Sequence, residues 1–186
     1  MIEEFQNFNQ SFKNGYNYVL YGSDEDNRIK PEVDYTNIRS VGFKLGFEYA
    51  EWCEITHQTM SVSPENMLAV IDKNFTIALK QMDEYKLKEK QYSEYKNGFT
   101  TGKDEVLLKF NQKDESYNII PDLDITSAYS IGYYDGYCYF LRDILRIDGL
   151  DENITATELD MVCRESFNES YETYNLSNMT DDKKVK

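Results

Sequence analysis

The chain has 186 residues, 40% hydrophobic and 15% aromatic, with only three prolines and nine glycines. It can bury a sizeable core, and neither a disordered chain nor a loop-rich β protein fits that composition. Thirty-four acidic against twenty basic residues give a net charge of −14, which repels nucleic acid phosphates in the absence of a local basic patch.

The first predicted helix covers residues 2–21, where Phe5, Phe8, Phe12, Tyr16 and Val19 recur at steps of three and four. The second covers 35–59, after Pro31 and with Asp34 as its expected cap. The third starts at Ser63, the N-cap, with Pro64 in the first helical position, and has Leu68, Ile71, Phe75, Leu79 and Met82 as its buried stripe. The fourth covers 92–112, with Tyr92, Tyr95, Phe99, Val106 and Phe110 inward. No residue between 85 and 92 breaks a helix, so the sequence leaves open whether the third and fourth join. The fifth covers 125–147 and stops at Asp148-Gly149. The sixth opens with a capping box, Thr155-x-x-Glu158, and runs to 174, before a polar tail over 175–186.

These segments fall into two similar halves. Pro31-Glu32-Val33-Asp34-Tyr35-Thr36 matches Pro121-Asp122-Leu123-Asp124-Ile125-Thr126 at an offset of 90. The match continues through Ser40-Val41-Gly42-Phe43 and Ser130-Ile131-Gly132-Tyr133, then through Gly46-Phe47 and Gly136-Tyr137. Upstream, Phe12-Lys13-Asn14-Gly15-Tyr16 matches Tyr95-Lys96-Asn97-Gly98-Phe99 at an offset of 83. Downstream, Met67, Val70 and Phe75 match Leu159, Val162 and Phe167 at an offset of 92. The expected fold is all-α: six helices in two tandem three-helix repeats, 1–90 and 91–174, related by a pseudo-two-fold axis within one compact domain. Residues 175–186 are expected to form a flexible tail.

Glycines recur as G-x-x-x-G at Gly42/Gly46, Gly98/Gly102 and Gly132/Gly136. Each costs about 1 kcal/mol relative to alanine inside a helix, so a close helix–helix approach is expected to offset it. The sequence suggests that the second and fifth predicted helices cross through their glycine ridges. The spacing resembles that of the GX3-repeat adaptor proteins over the glycine-bearing helices, although the chain lacks their longer uninterrupted glycine series.

Catalytic signals are sparse. Glu54-x-x-His57 is the step used by di-iron helical bundles, but the matching positions of the other half are Ile144 and Ile147. Cys53 shares a face with His57, and two ligands do not make a zinc site. Cys53, Cys138 and Cys163 are far apart and form no CxxC pair, a reduced, cytoplasmic pattern. Met1-Ile2-Glu3-Glu4 lacks an apolar signal region, and no run of about eighteen apolar residues exists, so neither a leader nor a membrane span is expected. No catalytic residue, metal or cofactor is expected.

Binding signals are stronger. Glu158, Glu165, Glu169 and Glu172 fall on one stripe of the sixth helix. Residues four apart there rise roughly 6 Å, comparable to phosphate spacing on a nucleic acid strand. Up to residue 90 the chain has ten cationic and fifteen acidic residues; beyond it, ten and nineteen. Tyr133, Tyr134 and Tyr137 crowd the fifth helix, and tyrosine is favoured at interfaces. The expectation is a non-catalytic acidic protein that binds a protein partner, such as a basic nucleic-acid-binding protein. Its Asn, Lys, Tyr and Ile usage suggests an AT-rich genome, and one form of this reading is a phage-type, anti-CRISPR-like inhibitor acting as a nucleic acid mimic. The alternatives are a structural adaptor whose duplication mimics a homodimer, and a small enzyme or metal protein using Glu54 and His57.

Overall fold

A computed structural model describes residues 1–22, 28–56, 63–146 and 154–178. These residues are helical or irregular, and none is in a strand. Five α-helices occur among them: α1 (Ile2–Tyr21), α2 (Ile38–Ile55), α3 (Pro64–Asn111), α4 (Ala128–Leu145) and α5 (Ala156–Thr173). Short 3₁₀ turns follow α3 at Glu115–Asn118 and α5 at Leu176–Asn178. The count corrects the expected six. The third and fourth predicted helices are one helix of 48 residues, because Lys, Leu, Glu and Gln fill the join and all propagate a helix well. No described helix is long and apolar enough to cross a membrane.

Several helix ends differ from their sequence reading. Asn37, not Asp34, caps α2, its side chain accepting from the Arg39 amide. Asp34 forms a turn just upstream, accepting from the Thr36 amide at 2.8 Å. Asp124 repeats that turn with Thr126 at 2.9 Å, and Ser127 caps α4. Ser63 accepts from the Asn66 amide at the start of α3, and Thr155 with Glu158 completes the capping box of α5. The predicted stop at Asp148-Gly149 lies outside the described residues.

The chain divides into two compact units, Met1–Lys86 and Leu87–Lys186. In unit 1, Phe8, Phe12, Val41, Leu45, Ile71, Phe75 and Ala78 form a buried cluster. The Phe75 ring inserts between α1 aromatics, 5.1 Å from Phe5 and 5.3 Å from Phe8. Phe12 lies 6.1 Å from Tyr49. In unit 2, Phe167 sits 5.2 Å from Tyr92 and 5.4 Å from Tyr95, and Phe99 lies 6.2 Å from Tyr139. The expected inward stripe of the third helix is corrected at Leu68 and Leu79, which are exposed, while Ala78 is fully buried. Phe110 is likewise more than a third exposed.

Backbone approach inside each unit is set by glycine. A Cβ on Gly46 would lie 1.9 Å from the Phe12 carbonyl oxygen of α1, and one on Gly15 would lie 2.0 Å from the Phe43 carbonyl oxygen of α2. In unit 2, Gly132 and Gly136 of α4 face the Tyr95 and Phe99 carbonyls, both at 2.1 Å, while Gly98 and Gly102 face Tyr129 and Tyr133. Each ridge is therefore filled by a helix of its own unit. This corrects the expected crossing of the second and fifth predicted helices through these ridges.

The contacts also correct the sequence register of the first helix in each half. Gly42 meets Phe8 where Gly132 meets Tyr95, Gly46 meets Phe12 where Gly136 meets Phe99, and Gly15 meets Phe43 where Gly102 meets Tyr133. Phe8 and Tyr95, Phe12 and Phe99, and Gly15 and Gly102 are each 87 residues apart, not 83. The difference of four residues is about one helical turn. A Lys-Asn-Gly identity drew the sequence match one turn away from the packing match.

Candidate partner-binding surface

The surface is built on α5. The inner face of this helix carries Cys163, Phe167 and Ser170, all buried. Polar contacts flank that apolar strip. Arg164 makes a two-pronged ion pair with Glu89 of α3 at 2.9 and 3.4 Å, and its guanidinium lies 3.4 Å over the Tyr92 ring. Asp160 pairs with Lys96 and accepts from the Tyr92 hydroxyl at 3.0 Å. Lys88 sits 4.7 Å over the Tyr171 ring.

A polar cluster lies deeper between α3, α4 and α5. The Tyr95 hydroxyl donates to Asp135 Oδ2 at 2.6 Å, and the Ser170 hydroxyl donates to the same oxygen at 2.7 Å. Ser166 Oγ is 2.8 Å from the Tyr95 hydroxyl oxygen. Tyr95 has one proton, committed to the carboxylate, so Ser166 is the donor in that bond. Burial raises the Asp135 carboxyl above its usual range and, with Glu169 nearby, outweighs the two hydroxyls that lower it. Burial also raises Tyr95, with Asp135 adding to the shift.

The outward face of α5 presents Glu165, Glu169 and Glu172, all exposed. Among the described residues none of the three forms an ion pair. Glu158, also on the predicted stripe, is committed elsewhere: it accepts from the Thr155 amide at 2.8 Å and from the Thr155 hydroxyl at 2.7 Å. These bonds hold its carboxyl below the usual range.

The three tyrosines of α4 do not form an exposed patch. Tyr137 is 1% exposed and its hydroxyl donates to the Tyr117 carbonyl at 2.9 Å, so it is a core residue, not a partner contact. Tyr133 is half-buried and donates to Glu105 at 2.7 Å, a carboxylate that also holds Lys109 at 2.7 Å. Tyr134 is half-buried beside Cys138. Crowding of tyrosine around one helix here reflects burial against α3 and the 115–118 turn.

Glu54 is occupied by Arg28, which binds both of its carboxylate oxygens at 2.5 and 3.0 Å. His57 lies outside the described residues, and Cys53 is buried on α2. Among the described residues no group of three metal-binding side chains occurs. A shallow pocket of about 390 Å³ lies over α4, lined by Ile120, Cys138, Leu141, Arg142, Leu145 and Arg146.

Sequence reading missed Asp135, Tyr95, Ser166 and Ser170 as a group. One signal was available: Asp135 is a carboxylate four residues after Ile131, on the same side of the helix, and it stands 90 residues after Leu45. The α3 and α5 partners come from 40 and 31 or more residues away, beyond any local pattern. No protein-family model, no curated protein and no solved structure matches the chain.

Proposed function

We propose that the chain is a non-catalytic binding protein, built by tandem duplication of a three-helix unit, that presents the carboxylates of α5 to a basic protein surface. The carrying observation is the row Glu165, Glu169 and Glu172, exposed and in no ion pair among the described residues, on a helix whose opposite face is tied down by Glu89, Lys96 and Asp135. Such a row is prepared for cationic partners because its carboxylates are not already neutralised and its backbone is held. The duplication is supported by the recurring ring pairs, by carbonyl–glycine contacts offset by 87 and 90 residues, and by the paired Asp34 and Asp124 turns. A groove that normally holds nucleic acid phosphates is the partner surface whose charge fits. In its inhibitor form this is the phage-type, anti-CRISPR-like reading.

The test is affinity capture from a host lysate, followed by binding measurements across a salt series. A captured nucleic-acid-binding protein is expected to release as salt rises, because Debye screening shortens to about 3 Å at 1 M. Glu165→Lys with Glu169→Lys is expected to abolish binding without changing the helical signal. Binding insensitive to both salt and charge reversal would refute the reading.

A further inference from the structure

The two third helices, residues 64–86 of α3 and α5, bury the same kind of aromatic knob. Phe75 sits 5.1 and 5.3 Å from Phe5 and Phe8, and Phe167 sits 5.2 and 5.4 Å from Tyr92 and Tyr95. On that knob alone either helix could dock on either pair of first and second helices. Residues 64–86 continue without a break into the first helix of unit 2, so the exchange to be prevented is one between molecules, or one made before α3 is complete.

The residues around the knob differ in kind. The α5 positions Arg164, Ser166 and Ser170 stand 92 residues after Asp72, Asn74 and Ala78. In unit 2 the carboxylate of Asp135 receives Tyr95 and Ser170, and Ser166 completes the chain. At the corresponding places unit 1 has Leu45, Phe8 and Ala78, all buried and apolar, and Asn74, whose amide bonds to Val70 of its own helix. Beside the cluster, Glu89 grips Arg164 with two bonds.

We infer that the Tyr95–Asp135–Ser166–Ser170 cluster and the Glu89–Arg164 pair form a recognition code by which unit 2 accepts α5 and rejects the 64–86 helix. The partner of this surface is a defined segment of the same chain. Docked on unit 2, residues 64–86 would set Asp72 against Glu89, two like charges. They would also put Ala78 where Asp135 needs a hydroxyl, leaving a half-buried carboxylate with one donor fewer. Rejection built from repulsion and from the loss of a donor to a half-buried carboxylate is how closely similar interfaces are kept apart. The inference rests on the duplication part of the proposed function and is independent of what the acidic row binds.

The test uses the full chain and the native thiols. Cys163 on α5 is 1% exposed, so it reacts with a thiol reagent only when α5 lifts, while Cys53 on α2 reports on unit 1. Giving α5 the other identity, by Arg164→Asp, Ser166→Asn and Ser170→Ala, is expected to raise Cys163 labelling about tenfold or more, since it removes the Glu89 ion pair and the Ser166 and Ser170 hydrogen bonds together. Cys53 labelling should stay unchanged. Adding Glu89→Lys, Asp135→Leu and Tyr95→Phe is expected to restore protection to within about threefold. Unchanged labelling in the first variant, or no recovery in the second, would overturn the code.

A second measurement needs no variant. Wild-type chain is refolded with a synthetic 154–178 peptide or a 64–86 peptide, and Cys163 protection is followed. The 154–178 peptide is expected to delay protection and the 64–86 peptide to leave it unchanged. Equal competition by both would overturn the code while supporting the duplication, because it would show the two helices to be interchangeable.

Discussion

Gly46→Ala tests whether backbone approach is what organises unit 1. The new methyl would sit 1.9 Å from the Phe12 carbonyl oxygen, 2.7 Å from its carbon and 3.0 Å from Cα. All three are backbone atoms, so no side-chain rotation relieves the clash. Restoring ordinary contact requires α1 and α2 to separate by more than about 1 Å, enough to forfeit a quarter to a half of each dispersion contact across the seam. Helix propensity returns about 1 kcal/mol. Overpacking of this kind costs about 1–3 kcal/mol and sometimes more, and backbone atoms put it at the upper end. The expected net loss is about 2–3 kcal/mol, equivalent to a fall in Tm of about 10 °C or more for a unit of this size. Gly42→Ala is the internal control. Its methyl would meet the Phe8 oxygen at 3.0 Å and the Phe8 ring at 3.1 Å, so a small shift suffices and the net change should stay within about 1 kcal/mol. The assay is thermal or urea unfolding read by fluorescence of Trp52, the sole tryptophan, which stacks on Tyr49 in unit 1. A neutral or stabilised Gly46→Ala would refute close approach as the reason for the glycine.

The other predictions concern unit 2. Burial raises the folded pKa of Asp135 above its unfolded value, so its contribution to stability is fully present below the unfolded pKa, about 3.9, and is lost as pH rises through the raised folded value. Asp135→Asn should therefore be more favourable relative to wild type at pH 7 than at pH 3.5, and urea unfolding across that range would show the difference; a pH-independent difference would count against a raised pKa at the half-buried Asp135. Thr155→Ala removes the hydroxyl that accepts from the Glu158 amide and should cost about 1 kcal/mol, with the loss seen as faster amide exchange in the first turn of α5. Cys163, pushed up to about 11 mainly by burial, should label far more slowly than half-buried Cys138 at pH 8, as mass spectrometry of labelled peptides would reveal.

Local chemistry was legible in the sequence. The all-helical class, the Ser63-Pro64 start and the Thr155–Glu158 capping box each depend on residues within one or two turns, and each occurs in the structure. The six-helix count failed because a helix end needs a breaker, and charged residues between Tyr85 and Tyr92 signal exposure without ending a helix. Other features depended on distant partners. The glycines announced a close approach, but which helix approached was decided by the carbonyls of Phe12 and Phe99, and these also moved the register by a turn. Tyr137 looked like interface until the Tyr117 carbonyl took its hydroxyl. Asp135 drew no reading from the sequence, and its place in a polar cluster depends on Tyr95 and Ser170, which close on it from α3 and α5. Spacing along a helix fixes which side chains share a face, because the helical period is a local property. What that face meets is set by burial and hydrogen bonding across tens of residues, and the tertiary structure alone decides it.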